Sequence, residues 1–128
     1  LFTFKIELLF ESNMAPQKFI ELKKEICNEN CYFVFDTGNR ICLKRNFEED
    51  IILLGKNIKH IHLKDKNHLK KNVVIGKGLV DFNLLFFFLK KINYRGNFTV
   101  ESQRGNNIFN QAKKNYLFFK DLIKRHKI

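Results

Sequence analysis

The sequence lacks any apolar run near the ~20 residues that a membrane-spanning helix needs. Its longest candidate, residues 84–89 (LLFFFL), is far too short. A secretory leader is missing as well, because Lys5 and Glu7 interrupt the apolar residues near the start and no small-residue cleavage site follows. Cysteine is scarce and odd in number. Cys27, Cys31 and Cys42 include one close spacing, but no second Cys or His pair lies downstream to complete a zinc module, so they read as reduced structural thiols of a cytoplasmic protein. There is no low-complexity stretch and no linker, and 128 residues fall within one domain spanning residues 1–128. The chain opens on Leu1 rather than on a methionine, which leads us to expect a missing N-terminal portion.

Acidic residues are also few. Thirteen Asp and Glu face 24 Lys and Arg, a formal net charge of +11. Clustered positive charge would suggest a nucleic-acid partner through counterion release. Here the basic residues are scattered over every segment and fall on the polar faces of predicted helices, as in Lys23-Lys24, Lys90-Lys91 and Lys113-Lys114. The reading is therefore a solvated surface with no nucleic-acid partner, whose charge attracts a phosphorylated substrate.

What the chain does contain is apolar content sufficient for a core: 45% hydrophobic residues, with 15 Phe. Residues 2–10 (FTFKIELLF) have the β-branched and aromatic character of a strand, ending at Glu11-Ser12-Asn13. Asn13 is the predicted helix N-cap, Pro16 sits in the first turn, and Phe19, Ile20, Leu22, Lys23 and Ile26 follow with helical spacing. The unit then repeats. Residues 32–35 form a strand ending at Asp36-Thr37-Gly38-Asn39, and residues 47–54 a helix stopped by Gly55. Residues 59–63 form a third strand that empties into the polar loop 65–71. Residues 73–75 form a fourth, ending at Gly76-Lys77-Gly78 and followed by a helix over 82–92. Residues 97–100 form a fifth, which stops at Glu101, and an amphipathic helix from about 107 to 124 closes the chain. Five strand-helix repeats predict an α/β fold on a parallel sheet.

Four residues with metal-ligand or acid-base chemistry fall at the C-terminal ends of strands: Glu11, Asp36, His62 and Glu101. In a (β/α)8 barrel that end is where catalytic side chains converge. Their separations of 25, 26 and 39 residues place them on strands one, two, three and five of this chain. Three carboxylates and one imidazole form a hard O/N set suited to one divalent ion, Mn2+, Co2+, Mg2+ or Zn2+. Taken singly, a strand-end carboxylate is more often a helix cap and a lone His more often a packed side chain. It is the shared position that argues for a site.

The stretches LLFES (8–12), FDTGN (35–39), HIHLKD (60–65), IGKGLVDF (75–82) and INYRGNFTVES followed by QRG (92–105) resemble, in order, the second half of the xylose isomerase-like TIM barrel superfamily, most closely its sugar phosphate isomerases and epimerases. The resemblance implies a partial (β/α)8 TIM barrel, about five parallel strands equivalent to strands 4–8. It implies that Glu11, Asp36, His62 and Glu101 are the four metal ligands, with Glu11 and Glu101 doubling as catalytic acid-base groups. The implied activity is a metal-dependent sugar (phosphate) isomerase or epimerase. A proton alpha to a carbonyl is removed and returned while the ion stabilises the enediolate.

His60, Lys64, His68 and Arg104 are candidates for binding the sugar or sugar-phosphate substrate, Arg104 being the best match to a phosphate. The Gly76-Lys77-Gly78 turn could offer backbone N–H groups to the same phosphate. Superfamily relatives that cut DNA at abasic sites carry a His where this chain has Asn39, and place further Asp and His ligands after the third strand. The loop here reads Asp65-Lys66-Asn67-His68, which disfavours a multinuclear nuclease. Two other readings stand beside the enzyme: a non-catalytic or nucleic-acid-binding domain that keeps the fold and uses its positive surface, and an inactive fragment. A partial barrel with two open sheet edges predicts pairing with a missing N-terminal half-barrel or homo-oligomerisation.

Overall fold

The computed structural model describes residues 6–26, 29–103 and 105–128. Four parallel strands, β1 (Leu8–Glu11), β2 (Cys31–Asp36), β3 (Ile58–Leu63) and β4 (Asn97–Val100), lie side by side in chain order. Between them run α1 (Pro16–Glu25), the short α2 (Thr37–Cys42), α3 (Phe47–Leu54) and α4 (Phe82–Lys91), and α5 (Ile108–His126) follows β4. This is an α/β architecture of the kind that forms part of a (β/α) barrel.

Local chemistry accounts for most of these boundaries. Asn46, Asp81 and Asn107 cap α3, α4 and α5 by accepting from the backbone N–H of Glu48, Leu84 and Asn110. Lys90 and Lys91 end α4, and Lys124, Arg125 and His126 end α5, where cations complement the helix dipole. Pro16 occupies the first turn of α1 as expected, but the cap position is Ala15 and has no side-chain bond. Asn13 is therefore not the N-cap. The Ser12 hydroxyl accepts from the Met14 N–H at 3.1 Å in the turn before the helix. Of the strand expected over residues 2–10, residues 2–5 lie outside the described part and residues 8–10 fall in β1.

The larger correction concerns residues 73–75, which form no strand among the described residues. Three apolar residues are too few to hold a ladder, and the segment is organised instead around the buried carboxylate of Asp65. The Gly76 and Gly78 N–H groups donate to Asp65 Oδ2 at 2.9 and 2.8 Å, and Val80 donates to Oδ1 at 3.1 Å. The Val73 N–H donates to the Asp65 carbonyl at 3.0 Å. At Gly78 any Cβ would collide with that carboxylate, so glycine is what lets the loop wrap it. The sheet consequently has four strands, not five, and β3 pairs directly with β4.

The core lies between the sheet and the helices. Phe33 and Phe35 of β2 and Ile61 and Leu63 of β3 alternate toward the helical layer, where Phe19, Ile51, Leu85 and Phe86 meet them with at most 1% exposure. A charged cluster is embedded at the top of this layer. Arg40, 1% exposed, donates to Asp50 Oδ2 and to the Ser12 carbonyl, both at 3.2 Å, with its guanidinium 4.8 Å from the centre of the Phe33 ring. Arg45 closes the cluster with two bonds to Asp50, at 2.8 and 2.9 Å. Burial draws the Arg40 pKa down, and Asp50, with a smaller contribution from Asp36, opposes the shift, so Asp50 is the guanidinium's main counter-charge. Asp50→Ala removes that partner and is expected to cost about 3–5 kcal/mol. Urea unfolding should show a lower midpoint with an unchanged slope, whereas a loss below about 1 kcal/mol would mean that water reaches Arg40.

Candidate metal centre

Parallel strands place all their C-terminal ends at one edge of the sheet, and one register shift aligns the donors there. β2 and β3 begin paired as Phe33 with Ile58, but Val34 then pairs with His60, so one residue of β3 is passed over. Without that slip Asp36 would sit opposite Ile61. With it, Asp36 is paired with His62, and both side chains leave the face opposite the helices. His62 is in turn paired with Thr99, so Glu101, two residues on, shares its face. Glu11 ends β1 on the same side.

The donor atoms of Glu11, Asp36 and His62 lie within 4.8 Å of one another. Glu101 joins them, its Oε1 standing 3.1 Å from His62 Nδ1, while Glu11 Oε2 and Asp36 Oδ2 stand 3.3 and 3.9 Å from the same nitrogen. Despite these distances, Nδ1 is buried without a hydrogen-bond partner among the described residues. Three carboxylate oxygens surround a nitrogen that is aligned with none of them. Glu11, Asp36 and His62 stand close enough to hold one small cation, with Glu101 beside His62, and the donor set has the mixed O/N chemistry of a divalent-ion site. The residues present therefore fit a divalent ion.

Asp36 serves two purposes. Its Oδ1 accepts from the Asn39 N–H at 2.7 Å and so caps α2, while Oδ2 faces the cluster. The reading of this residue as a helix cap is met by Oδ1, and Oδ2 is left facing the other donors. Asn39 reaches back through its amide to Glu11 Oε1 at 3.4 Å.

Of the residues expected to bind substrate, Lys64 is inside the cluster. Its Nζ lies 2.8 Å from Asp36 Oδ2 and 2.6 Å from Glu101 Oε2. His60 lies beside it, with its ring centre 5.2 Å from that of His62 and its Nε2 2.7 Å from the Thr99 hydroxyl. Burial first, and then His62, lowers the His60 pKa, favouring the neutral ring. His68 is exposed in the loop after β3 and has no bond to the cluster among the described residues. Arg104 lies outside the described residues. The Gly76 and Gly78 N–H groups are already taken by Asp65 and do not offer themselves to a phosphate.

Two features escaped the sequence reading. Thr37 is fully buried, its hydroxyl accepting from the Lys64 N–H at 2.8 Å and lying 2.5 Å from the Lys64 carbonyl oxygen. Asn115 of α5 is 6% exposed. It accepts from Gln111 and donates to the Ser102 hydroxyl at 2.6 Å, bracing the residue next to Glu101. The signal for Asn115 was present, because it shares the buried stripe of α5 with Phe119 and Leu122. Glu101, Ser102, Asn72, Gln111, Asn115 and Tyr116 line part of a cavity of about 530 Å3 beside the donor cluster.

Residues 4–122 match the family described as the xylose isomerase-like TIM barrel. The chain belongs to that family. A Haemophilus influenzae member provisionally named L-ribulose-5-phosphate 3-epimerase SgbU is 38% identical over 84 residues, 59% of this chain and 29% of that protein. A D-tagatose 3-epimerase-like protein superposes with a TM-score of 0.72 at 26% identity, over 96% of this chain and 48% of its own length. The D-allulose 3-epimerase of Methylomonas sp. superposes at 0.76 and 20% identity, over 91% and 49%. The chain thus spans about a third to a half of the length of these relatives. No helix among the described residues is long and apolar enough to cross a membrane.

The Lys64 contact has a pH signature. The hydrogen bond from Lys64 is the largest influence on Glu101 and holds its carboxyl below the ordinary range, against a smaller opposing effect of burial. Burial alone would lower the Lys64 pKa, but its bonds to Asp36 and Glu101 outweigh this and raise it. A depressed carboxylate stabilises the fold above its unfolded value and loses that contribution as pH falls through its folded value. A raised ammonium contributes below its unfolded value and loses the contribution as pH rises through its folded one. The contact therefore persists across the whole interval between the Glu and Lys ranges. Carboxyl NMR of Lys64→Met should show Glu101 titrating at higher pH than in the parent, and an unmoved midpoint would exclude Lys64 as the cause.

Proposed function

We propose that this chain carries the metal-binding and proton-transfer residues of a sugar or sugar-phosphate 3-epimerase, and that it corresponds to the C-terminal half of a family barrel. The observation that supports the reading best is the orphaned His62 Nδ1 facing carboxylates from three other strand ends. The names of the relatives point to the same chemistry, inversion at the carbon next to a ketose carbonyl.

Glu11, Asp36, His62 and Glu101 would hold the ion. When bound, a divalent ion supplies Lewis-acid stabilisation of the negative charge that develops on the carbonyl oxygen as the alpha proton leaves. The remaining work belongs to the side chains. Asp36 is almost wholly buried, with both oxygens engaged by Asn39 and Lys64, and acts as a fixed ligand. Glu11 and Glu101, 42% and 40% exposed and coming from opposite edges of the sheet, can reach a substrate from two sides. One removes the proton from C3 and the other returns a proton to the opposite face, which inverts that centre. The cavity beside Glu101 presents the Ser102 hydroxyl and the amides of Asn72 and Gln111, groups suited to sugar hydroxyls.

Two measurements test this. Mn2+ titration of the protein should give one ion per chain, abolished by His62→Ala. With a ketopentose, a ketohexose or its phosphate in D2O, the protein should wash deuterium into C3, and Glu101→Gln should slow the exchange by about 10^2 to 10^4. Stoichiometric Mn2+ binding without C3 exchange would leave a metal site and remove the epimerase. Absence of both would remove the reading altogether.

A further inference from the structure

Within the donor cluster, Lys64 is held at every level from backbone to head group. Thr37 clasps its backbone through both the N–H and the carbonyl. Its stem lies against Gly38, where a Cβ would stand 2.8 Å from Lys64 Cγ and 3.0 Å from Cδ, so only glycine leaves room for it. Its ammonium ends between Asp36 Oδ2 and Glu101 Oε2, with the side chain 13% exposed. The run Asp36-Thr37-Gly38 thus supplies a bond, a clasp and a vacancy to a single lysine. A lysine meant to sample solvent or wait for substrate would need none of them, and fixing so flexible a side chain carries an entropic cost.

Charge explains what the restraint achieves. Glu11, Asp36 and Glu101 bring three negative charges around one imidazole, and like charges this close destabilise the fold that gathers them. We propose that Lys64 is the cluster's built-in counter-cation: it holds Asp36 and Glu101 together in the ion-free protein and, as a competing positive charge, limits how tightly a divalent ion binds. With Lys64 in place and His62 neutral, the four charged groups sum to minus two, the complement of a divalent ion. The inference rests on the metal-dependent reading of the site. It assigns Lys64 a positioning role distinct from the substrate contact expected of it.

The test compares Mn2+ affinity by calorimetry and thermal unfolding of the ion-free protein, for the parent and for Lys64→Met, which keeps the stem against Gly38 but removes the charge. Lys64→Met should bind Mn2+ about tenfold more tightly or better, as expected from removing a unit charge a few ångströms away. Its ion-free form should melt below the parent and recover when Mn2+ is added. Unchanged or weaker Mn2+ binding in Lys64→Met, with the parent still binding one ion, overturns the counter-cation and leaves the metal site standing. Failure of the parent to bind Mn2+ overturns both. If Lys64→Met does not fold, Gly38→Ala decides, since it keeps the ammonium but crowds the stem out of place. Tighter Mn2+ binding in that variant supports the proposal, and unchanged or weaker binding sinks it.

Discussion

The arrangement of this site depends on a slip of one residue between two strands. A parallel sheet collects strand ends along one edge, but it does not ensure that the side chains at those ends leave the same face. Side chains alternate, so an error of one residue would turn a ligand into the core. Passing over one position of β3 sets Asp36 beside His62 and carries the correction through to β4, where Thr99 and then Glu101 fall on the same side. The apolar residues obey the same constraint from the other side. Phe33, Phe35, Ile61 and Leu63 are buried against the helices because their polar neighbours are not. Packing and ligand placement are two readings of one register.

Two buried carboxylates show how the fold handles negative charge near this edge. Asp65 is answered by three backbone N–H groups, and in organising them it replaces a strand with a wrapped loop. Asp50 is answered by two arginines and ties the turn after α2 to α3. Asp36 and Glu101 receive a single lysine between them, and Glu11 receives the amide of Asn39. In the donor cluster, unlike at Asp50 and Asp65, three carboxylates share one lysine. That asymmetry separates a site from a structural network, and the unpartnered His62 Nδ1 lies at its centre.

Much of this was legible in the sequence because strand ends are marked by chemistry as well as by periodicity. The apolar runs located β2, β3 and β4 to within a residue, with Asp36, His62 and Glu101 at or beside their C-terminal ends. The reading misjudged residues 73–75, since an apolar triplet before Gly76 has the composition of a strand. Nothing local says that Asp65, eight residues earlier, will claim the following N–H groups. For the same reason it weighed a phosphate contact at the Gly76-Lys77-Gly78 turn, whose N–H groups are given to the internal carboxylate of Asp65. It read Thr37 and Gly38 only as part of a strand end, because a clasp on a lysine 27 residues away leaves no periodic trace. It did place Lys64 at the site, without the means to see that the ammonium faces the ligands themselves.

Glu101 is where these strands of argument meet. It belongs to the donor cluster through Oε1, to Lys64 through Oε2 and to the amide-lined cavity through its position. Ser102, braced by Asn115 from α5, fixes the backbone just beyond it. A carboxylate held only as a ligand would not need to border a cavity, and one held only as a base would not need a lysine to keep it ionised. The combination makes sense if the group must remain charged while a substrate occupies the cavity and must then accept a proton from it. Through Asn115, α5 covers the sheet and also braces Ser102 beside Glu101, and it lines the cavity there.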